Sequence, residues 1–378
     1  MYKKNFNRRE FIKKSAVGFL GLTAFNMISP MARKAAYAFE NSGVEYRILG
    51  RTGLKVSSVG FGAMKMTDNS VLKRAFDLGV NYVDTADCYQ GGNNEIKVGE
   101  AIKGKRKDVI VVTKVHPASE AAMMRSLDTS LSRLNVDYID VMQLHNAAPK
   151  QISNPEVIRI LTKMKDSGKI RFIGTSSHGD IEGCIYAAIK AQVYDMVLVS
   201  YNFESPQTVT DAIAKTAESG VGVVAMKTQA GGYKTTENIT PHQAMLKWVL
   251  QNKNVATTIP GVVSISQIEE FFDVMGMKMG SSDWKNLNKY GQAIDSIYCR
   301  MCNTCNGKCP KKVQIQDIFR ALMYAQGYKD MQLAKSTYDN INNQQNASVC
   351  TDCNICSVKC KYSLPIKEKL AKAHSLFC

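Results

Sequence analysis

The chain has 378 residues, enough for one large domain together with a small one. Its hydrophobic content of 45% and charged content of 22% are ordinary for a globular protein. The net charge is +16, of which residues 1–38 contribute +7, so the remaining chain carries a modest +9. No run of Lys and Arg is interleaved with aromatic residues, and we therefore expect no nucleic-acid partner.

The N-terminus has the features of a signal for protein export. Residues 8–14 place the twin arginine Arg8 and Arg9 before an apolar pair and lysines, which is the pattern read by the twin-arginine route. An apolar stretch from Ala16 to about Met31 follows, and residues 36–38 read A-Y-A, a small-residue cleavage pattern. This predicts a signal peptide over residues 1–38 and a mature protein in the periplasm or at the cell surface. The alternative is an uncleaved helical anchor, which would be the only membrane contact.

The middle of the chain alternates short apolar runs with amphipathic ones, from Tyr46 to about Met275. The apolar runs are Val/Ile-rich and do not alternate with polar residues, as expected for strands buried on both faces. Eight strands and eight helices over this length predict an α/β fold, a (β/α)8 TIM barrel over residues 39–290. A doubly wound sheet is the rival, but the predicted first strand, Val56–Gly62, lacks the third glycine of a dinucleotide-binding turn.

Chemically coherent residues follow three successive predicted strands. Asp84, Lys114 and His145 stand at the ends of strands two, three and four, and Tyr89 follows Asp84 in the same loop. Catalytic residues of such barrels lie at these strand ends. A buried lysine would lower the pKa of a neighbouring tyrosine, a carboxylate would anchor the lysine, and a histidine could orient a carbonyl oxygen. Each residue alone also fits an ordinary structural role.

Eight cysteines near the C-terminus form two runs with the spacing C-x2-C-x2-C-x3-C. This spacing is typical of bacterial [4Fe–4S] sites, whereas zinc or disulfides would favour other patterns. The runs predict two [4Fe–4S] clusters in a domain over residues 291–378, and the fourth thiolate of each run is expected to serve the other cluster. The ligands would be Cys299, Cys302, Cys305 and Cys360 for one cluster, and Cys350, Cys353, Cys356 and Cys309 for the other.

The motifs together resemble those of the aldo/keto reductase family, in an exported branch that carries iron–sulfur clusters. The matching segments are residues 46–54 (YRILGRTGL), 83–89 (VDTADCY), 113–114 (TK), 143–145 (QLH), 168–178 (GKIRFIGTSSH) and 259–261 (IPG). The long segment between the cysteine runs, with a predicted helix Ile315–Gly327, looks like an α-helical ferredoxin-like arrangement.

The resemblance implies roles for the strand-end residues and a nicotinamide cofactor, NADP or NAD. Tyr89 would be the general acid, Lys114 and Asp84 would tune it, and His145 would orient the carbonyl. The residues implied to lie along the cofactor are Gly62, Ala63 and Met64 at the nicotinamide, Ser176 and Ser177 at the carboxamide, and the loop Lys227–Gly232, including Gly231, at the pyrophosphate.

Two positions differ from the family pattern. Leu198 stands where many members have a glutamine under the nicotinamide, and residues 261–264 (GVVS) carry no charge for an adenosine 2′-phosphate. We therefore expect no strong preference for NADP over NAD.

These observations predict an exported oxidoreductase that interconverts a small carbonyl compound and an alcohol, while its clusters relay electrons to a redox partner protein. The alternatives are an electron-transfer protein whose nicotinamide chemistry has lapsed, and a protein whose clusters act as structural clips or redox sensors.

Overall fold

A computed structural model describes residues 43–234, 241–350, 353 and 355–378. The predicted signal peptide lies outside this part of the chain. Residues from Glu45 to Cys378 form one compact unit. Within the described residues, no helix is both long enough and apolar enough to cross a membrane.

Eight parallel strands form a closed barrel and are hydrogen-bonded in chain order. The strands are β3 (Phe61–Gly62), β4 (Tyr82–Asp84), β5 (Ile110–Val115), β6 (Ile139–Leu144), β7 (Ile170–Ser177), β8 (Met196–Ser200), β9 (Gly222–Met226) and β10 (Val255–Thr258). Parallel bridges from Val59 to Thr258 and from Gly62 to Gly261 close the ring between its first and last strands. This confirms the predicted (β/α)8 barrel.

The predicted first strand, Val56–Gly62, is divided in the structure. Its beginning belongs to an antiparallel hairpin of β1 (Tyr46–Ile48) and β2 (Lys55–Ser57), where Ser57 pairs with Tyr46. Its end, β3, pairs instead with β4 through Phe61 and Val83. The segment changes partner between the two, so one apolar run serves two sheets.

Amphipathic helices surround the barrel and cover its strands with their apolar faces. Their bounds are α1 (Asn69–Asp77), α2 (Asn93–Ile102), α3 (Glu120–Leu134), α4 (Pro149–Ile152), α5 (Pro155–Asp166), α6 (Ile181–Ala191), α7 (Gln207–Glu218), α8 (His242–Gln251), α9 (Ile265–Phe272) and α10 (Ser281–Ile294). Helix α5 shows why these ends form where they do. The Asn154 side chain accepts a hydrogen bond from the Glu156 backbone, and Pro155 fits the first turn, where its missing N–H costs nothing.

The C-terminal segment adds α11 (Ile315–Gln326), α12 (Met331–Asp339) and α13 (Ile366–Phe377) around a core of its own. Helix α11 buries Ile318, Phe319 and Leu322 in this core, and six of the eight clustered cysteines pack against it. The segment is also joined to the barrel, because Met323 and Tyr324 of α11 share a second core with Tyr233. Helix α10 runs across the predicted domain boundary at residue 290 and takes part in that shared core.

Helix α11 ends against the loop that follows β9. A Cβ atom added at Gly327 would lie 2.1 Å from the backbone oxygen of Gly231, so this approach requires glycine. The side chains of Lys227 and Tyr324 meet beside it, with 2.9 Å between the Lys227 Nζ and the Tyr324 hydroxyl. Because this loop leaves the carboxyl end of a barrel strand, the C-terminal segment lies over the barrel end where active sites form.

Candidate active site and cysteine clusters

A buried ion pair forms the centre of the candidate site. Lys114, near the end of β5, is 1% exposed and Asp84, at the end of β4, is 2% exposed. The Lys114 Nζ donates to the Asp84 Oδ1 and to the Thr85 backbone oxygen, each at 2.5 Å. Gln143 of β6 donates to the other Asp84 oxygen at 2.9 Å. Burial raises the pKa of Asp84, and the attraction of Lys114 and these hydrogen bonds oppose the rise.

Tyr89 and His145 flank this ion pair. The Lys114 Nζ lies 4.8 Å from the centre of the Tyr89 ring, and the Tyr89 and His145 rings meet edge to face with their centres 5.9 Å apart. Burial, together with the positive charges of Lys114 and Arg320, holds the pKa of His145 well below its ordinary value. The imidazole is therefore neutral near neutral pH, so it can donate a hydrogen bond without carrying a charge.

The expected lowering of the Tyr89 pKa does not occur in the structure. Burial raises the pKa of Tyr89 well above 10, and the Asp84 carboxylate adds to the rise. Lys114 does not lower this pKa, because its charge is compensated by Asp84 and its ammonium group lies over the face of the Tyr89 ring. The phenol is thus held in its protonated form, which suits a proton donor.

A cleft lies beside this group of residues at the barrel end. Asp84 and Tyr89 line it together with three of the residues predicted to lie along a cofactor, Gly62, Met64 and Lys227. Ala63 and Gly231 are buried, and Gly232 of the same loop lines the cleft. Leu198 also lines the cleft, as expected for the position that faces a nicotinamide.

The two predicted carboxamide residues are buried and already bonded within the protein. The Ser176 hydroxyl accepts from the Asn146 backbone N–H at 3.0 Å, and the Ser177 hydroxyl donates to the Gly179 oxygen at 2.7 Å. Neither hydroxyl takes part in the ion-pair network around Lys114. Their contact with a cofactor stays a prediction.

Several side chains of the cleft have buried polar atoms without a partner among the described residues. These atoms are the Thr228 Oγ1, the Gln229 Nε2, the His178 Nδ1 and the His242 Nδ1. Buried polar groups are normally hydrogen-bonded, so these atoms fit a cleft that takes a polar ligand. The donor set suits the phosphate and amide groups of a nicotinamide dinucleotide.

Sequence patterns did not indicate three further residues at this site, Tyr324, Tyr328 and Lys65. Tyr324 and Tyr328 line the cleft from the C-terminal segment, although both are distant from the barrel in sequence. Burial alone would raise the pKa of Tyr324, but the cations of Lys227 and Arg320 outweigh it, and the pKa is lowered. Lys65 lines the cleft next to Gly261 and donates to the Tyr328 backbone oxygen at 3.3 Å. Packing of the C-terminal segment on the barrel brings Tyr324 and Tyr328 to the cleft, and closure of the barrel between β3 and β10 brings Lys65 to it.

Cysteines of both runs lie together around one small cavity. A small cavity is lined by Cys299, Cys302, Cys305 and Cys360, the last of which comes from the second run, and by the apolar side chains of Phe319, Leu364 and Ile366. Burial raises the pKa of Cys299 to about 12, with Cys305, Cys302 and Cys360 adding to the rise. Four thiols around an apolar cavity fit a cluster of several atoms.

The second set of cysteines also combines residues from both runs. Burial raises the pKa of Cys350 to about 11, with Cys309, Cys353 and Cys356 adding to it in that order. Cys309 belongs to the first run and thus interacts with the second. The Lys311 side chain donates to the Val349 oxygen at 3.0 Å and further ties the two runs together. Ligation of iron by these thiols stays a prediction.

Comparison with known proteins identifies the barrel. Residues 58–244 match the Aldo/keto reductase family. L-galactose dehydrogenase from Arabidopsis thaliana is 30% identical over 276 residues, which cover 60% of this chain and 86% of that protein. Methylglyoxal reductase YeaE from Escherichia coli is 24% identical over 246 residues, covering 60% of this chain and 85% of that protein.

Solved structures of aldo-keto reductases are similar in fold to this chain. The holo form of aldo-keto reductase AKR11C1 from Bacillus halodurans is similar with a TM-score of 0.56 at 27% identity, covering 65% of this chain and 96% of that chain. An aldo/keto reductase from Klebsiella pneumoniae, solved in complex with NADP and acetate, has a TM-score of 0.56 at 24% identity and covers 65% of this chain and 95% of that chain. At that identity the second likeness shows the fold alone.

Proposed function

The chain belongs to the aldo/keto reductase family, and we propose that this oxidoreductase interconverts a small carbonyl compound and an alcohol at a nicotinamide cofactor. The observation that carries the proposal is the meeting of four predicted residues beside one cleft. Lys114 and Asp84 form a buried ion pair, and Tyr89 and His145 lie against it.

Each of the four side chains has a separate role in the transfer of a proton to the substrate oxygen. The neutral His145 donates a hydrogen bond that orients the carbonyl, and the Tyr89 phenol gives its proton to the oxygen as negative charge develops there. Asp84 accepts a hydrogen bond from Lys114 and holds its ammonium beside the Tyr89 ring, while Gln143 donates to the other oxygen of Asp84. In the oxidative direction the Tyr89 phenol first releases its proton to solvent, and the phenolate then takes the proton of the alcohol.

NADP or NAD would occupy the cleft, where the reduced form would supply the hydride and the oxidised form would accept it. The residues in place to hold it are Gly62 and Met64 at one side, Thr228 and Gln229 after β9, and Lys65 beside Gly261. The Klebsiella pneumoniae aldo/keto reductase was solved in complex with NADP. The unpaired polar atoms of Thr228 and Gln229 support a dinucleotide in this position.

We further propose that the two sets of cysteines hold two [4Fe–4S] clusters, which relay electrons between the enzyme and a redox partner protein. The support is the spacing of the runs and the crossed grouping of the thiols around an apolar core.

Export by the twin-arginine route remains our proposal for the location, because a chain that receives clusters in the cytoplasm must be exported folded. Changing Arg8 and Arg9 to Lys should retain the protein in the cytoplasm. Normal export of this variant, measured by cell fractionation, would contradict the proposal.

Titration of the cluster-loaded protein with NADPH and with NADH tests the central proposal. We expect saturable binding of at least one of them, followed by its oxidation when simple aldehydes and ketones are added. Failure of both nucleotides to bind would overturn the proposal and favour an electron-transfer protein on a barrel without nicotinamide chemistry.

A further inference from the structure

A second cluster of polar side chains surrounds His145 on the side of the loop that follows β4. Asp87 and Cys88 belong to this loop, and His116 directly follows β5. One ligand atom from each of these residues and one from His145 lie within 4.8 Å of one another. We propose that these four side chains bind a Zn²⁺ ion.

The separation of sulfur and nitrogen matches tetrahedral zinc. The Cys88 Sγ lies 3.6 Å from the His145 Nδ1. Zinc bonds of ~2.3 Å to sulfur and ~2.0 Å to nitrogen, at a tetrahedral angle, place these two ligand atoms ~3.5 Å apart. One thiolate, two imidazoles and one carboxylate are also ligand types that zinc accepts in a single site. The thiol would release its proton to solvent when the metal binds.

Asp87 provides an independent indication. Its Oδ2 accepts a hydrogen bond from Ser126 at 2.7 Å, which fixes the carboxylate in the manner of an outer-shell partner. Its Oδ1 is buried and has no hydrogen-bond partner in the described part of the chain. A buried carboxylate oxygen without a donor is costly, and a bound cation would satisfy it.

The remaining ligand, His116, has to change the orientation of its ring to bind the ion. The His116 and His145 rings are stacked, with 4.5 Å between their centres. Both nitrogen lone pairs cannot point at one ion while the rings stay parallel, so His116 must turn. His116 and Cys88 are exposed, so the His116 ring has solvent on one side into which it can turn.

The consequence for the enzyme depends on the proposed function, whereas metal binding does not. His145 would be the residue that orients the carbonyl, and a zinc ion on its ring would alter that hydrogen bond and narrow access to Tyr89. We therefore expect Zn²⁺ to inhibit carbonyl reduction reversibly, with recovery when a chelator is added.

Binding of Zn²⁺ to the full-length, cluster-loaded protein tests the site. Wild type, Cys88→Ser and His116→Asn would be titrated with Zn²⁺ by calorimetry, and bound zinc would be counted by elemental analysis after gel filtration. Cys184→Ser is the matched control, because Cys184 is a free cysteine buried elsewhere. Iron content would be measured for every sample, so that zinc in the clustered cysteines is recognised.

We expect wild type and Cys184→Ser to bind one more zinc ion than the other two variants, or to bind it at least ~10-fold more tightly, as the loss of one ligand implies. X-ray absorption at the zinc edge should show one sulfur and about three nitrogen or oxygen neighbours. Equal zinc content and affinity in all four proteins would overturn the proposal, as would a zinc environment made only of sulfur. Both results stand whether or not the protein reduces carbonyl compounds.

Discussion

The proton donor that we propose, the phenol of Tyr89, belongs to a side chain that lines the cleft. We predict that Tyr89→Phe lowers carbonyl reduction by at least ~100-fold, the usual contribution of a positioned proton donor. Nicotinamide binding and iron content should stay unchanged, because the ring still packs against Lys114. Tyr186→Phe, at an exposed tyrosine, is the matched control. Undiminished turnover in Tyr89→Phe would favour the view that the nicotinamide chemistry has lapsed.

Lys65 is a cation that the sequence did not point to, because it follows β3 whereas the uncharged residues 261–264 follow β10. The closure of the barrel brings its side chain to 3.8 Å from the position of a Cβ atom on Gly261. If Lys65 contacts the adenosine 2′-phosphate, Lys65→Met should weaken NADPH binding by roughly 10-fold to 100-fold and leave NADH binding unchanged.

Binding constants for both nucleotides would be measured for wild type and for this variant. Equal weakening of NADPH and NADH would show that Lys65 acts on the shared part of the cofactor. In that case the weak preference expected from the uncharged segment would stand.

Residue types and strand ends sufficed to predict Asp84, Tyr89, Lys114 and His145, because the carboxyl ends of parallel strands always meet at one edge. The same reasoning could not predict the pKa of Tyr89. That value depends on how deeply the ring is buried and on which face of it Lys114 occupies. Neither property is encoded in the spacing of residues along the chain.

The end of α11 depends on the close approach of its backbone at Gly327 to the backbone of Gly231. Gly327→Ala would place a methyl group 2.1 Å from the Gly231 oxygen, and we expect this overpacking to lower the free energy of unfolding by ~1–3 kcal/mol. Nicotinamide binding should weaken as well, because Gly327 lines the cleft. Gly280→Ala is the control, since its added methyl would meet nothing nearer than 3.7 Å. Equal denaturation midpoints for the two variants would contradict the argument.

The crossed grouping of cysteines can be tested with pairs of substitutions. If Cys309 serves the set of Cys350, the double variant Cys309→Ser/Cys350→Ser loses one cluster and retains the other. The double variant Cys309→Ser/Cys299→Ser then damages both. Iron content and the electron paramagnetic resonance spectrum of the reduced protein distinguish the two outcomes. The opposite result would show that each run holds its own cluster.

The repeating elements were predictable because buried parallel strands and amphipathic helices have distinct hydrophobic patterns. The division of Val56–Gly62 between two sheets was not, since both halves are equally apolar and only their partners differ. The position of α11 in the fold could not be predicted from the sequence either. Its sequence shows that it has apolar faces, but not that one face meets the cysteines and the other the barrel.

Buried neutral histidines make the free energy of unfolding of the whole protein depend on pH. Burial, with the cations of Lys227 and Arg320, holds the pKa of His178 well below its ordinary value. The unfolded chain takes up a proton on this residue below pH ~6.5 while the folded chain does not, so stability is lost as the pH falls through that value.

We predict that wild type loses ~1.4 kcal/mol more unfolding free energy than His178→Asn between about pH 7.5 and about pH 5.5. Denaturant titration of both proteins at the two pH values, without oxygen, measures the difference. Identical pH dependence would show that His178 already carries a proton in the folded protein or stays neutral in the unfolded one.

The packing of α11 has a consequence for how the protein matures. One face of this helix rests on the clustered cysteines, while Tyr324 on the other side completes the wall of the catalytic cleft. Insertion of iron and sulfur would then be a condition for a finished active site, although the clusters lie outside it. A chain that left the cytoplasm without its inorganic groups would arrive at its destination inactive, so catalytic competence would report on successful cofactor assembly.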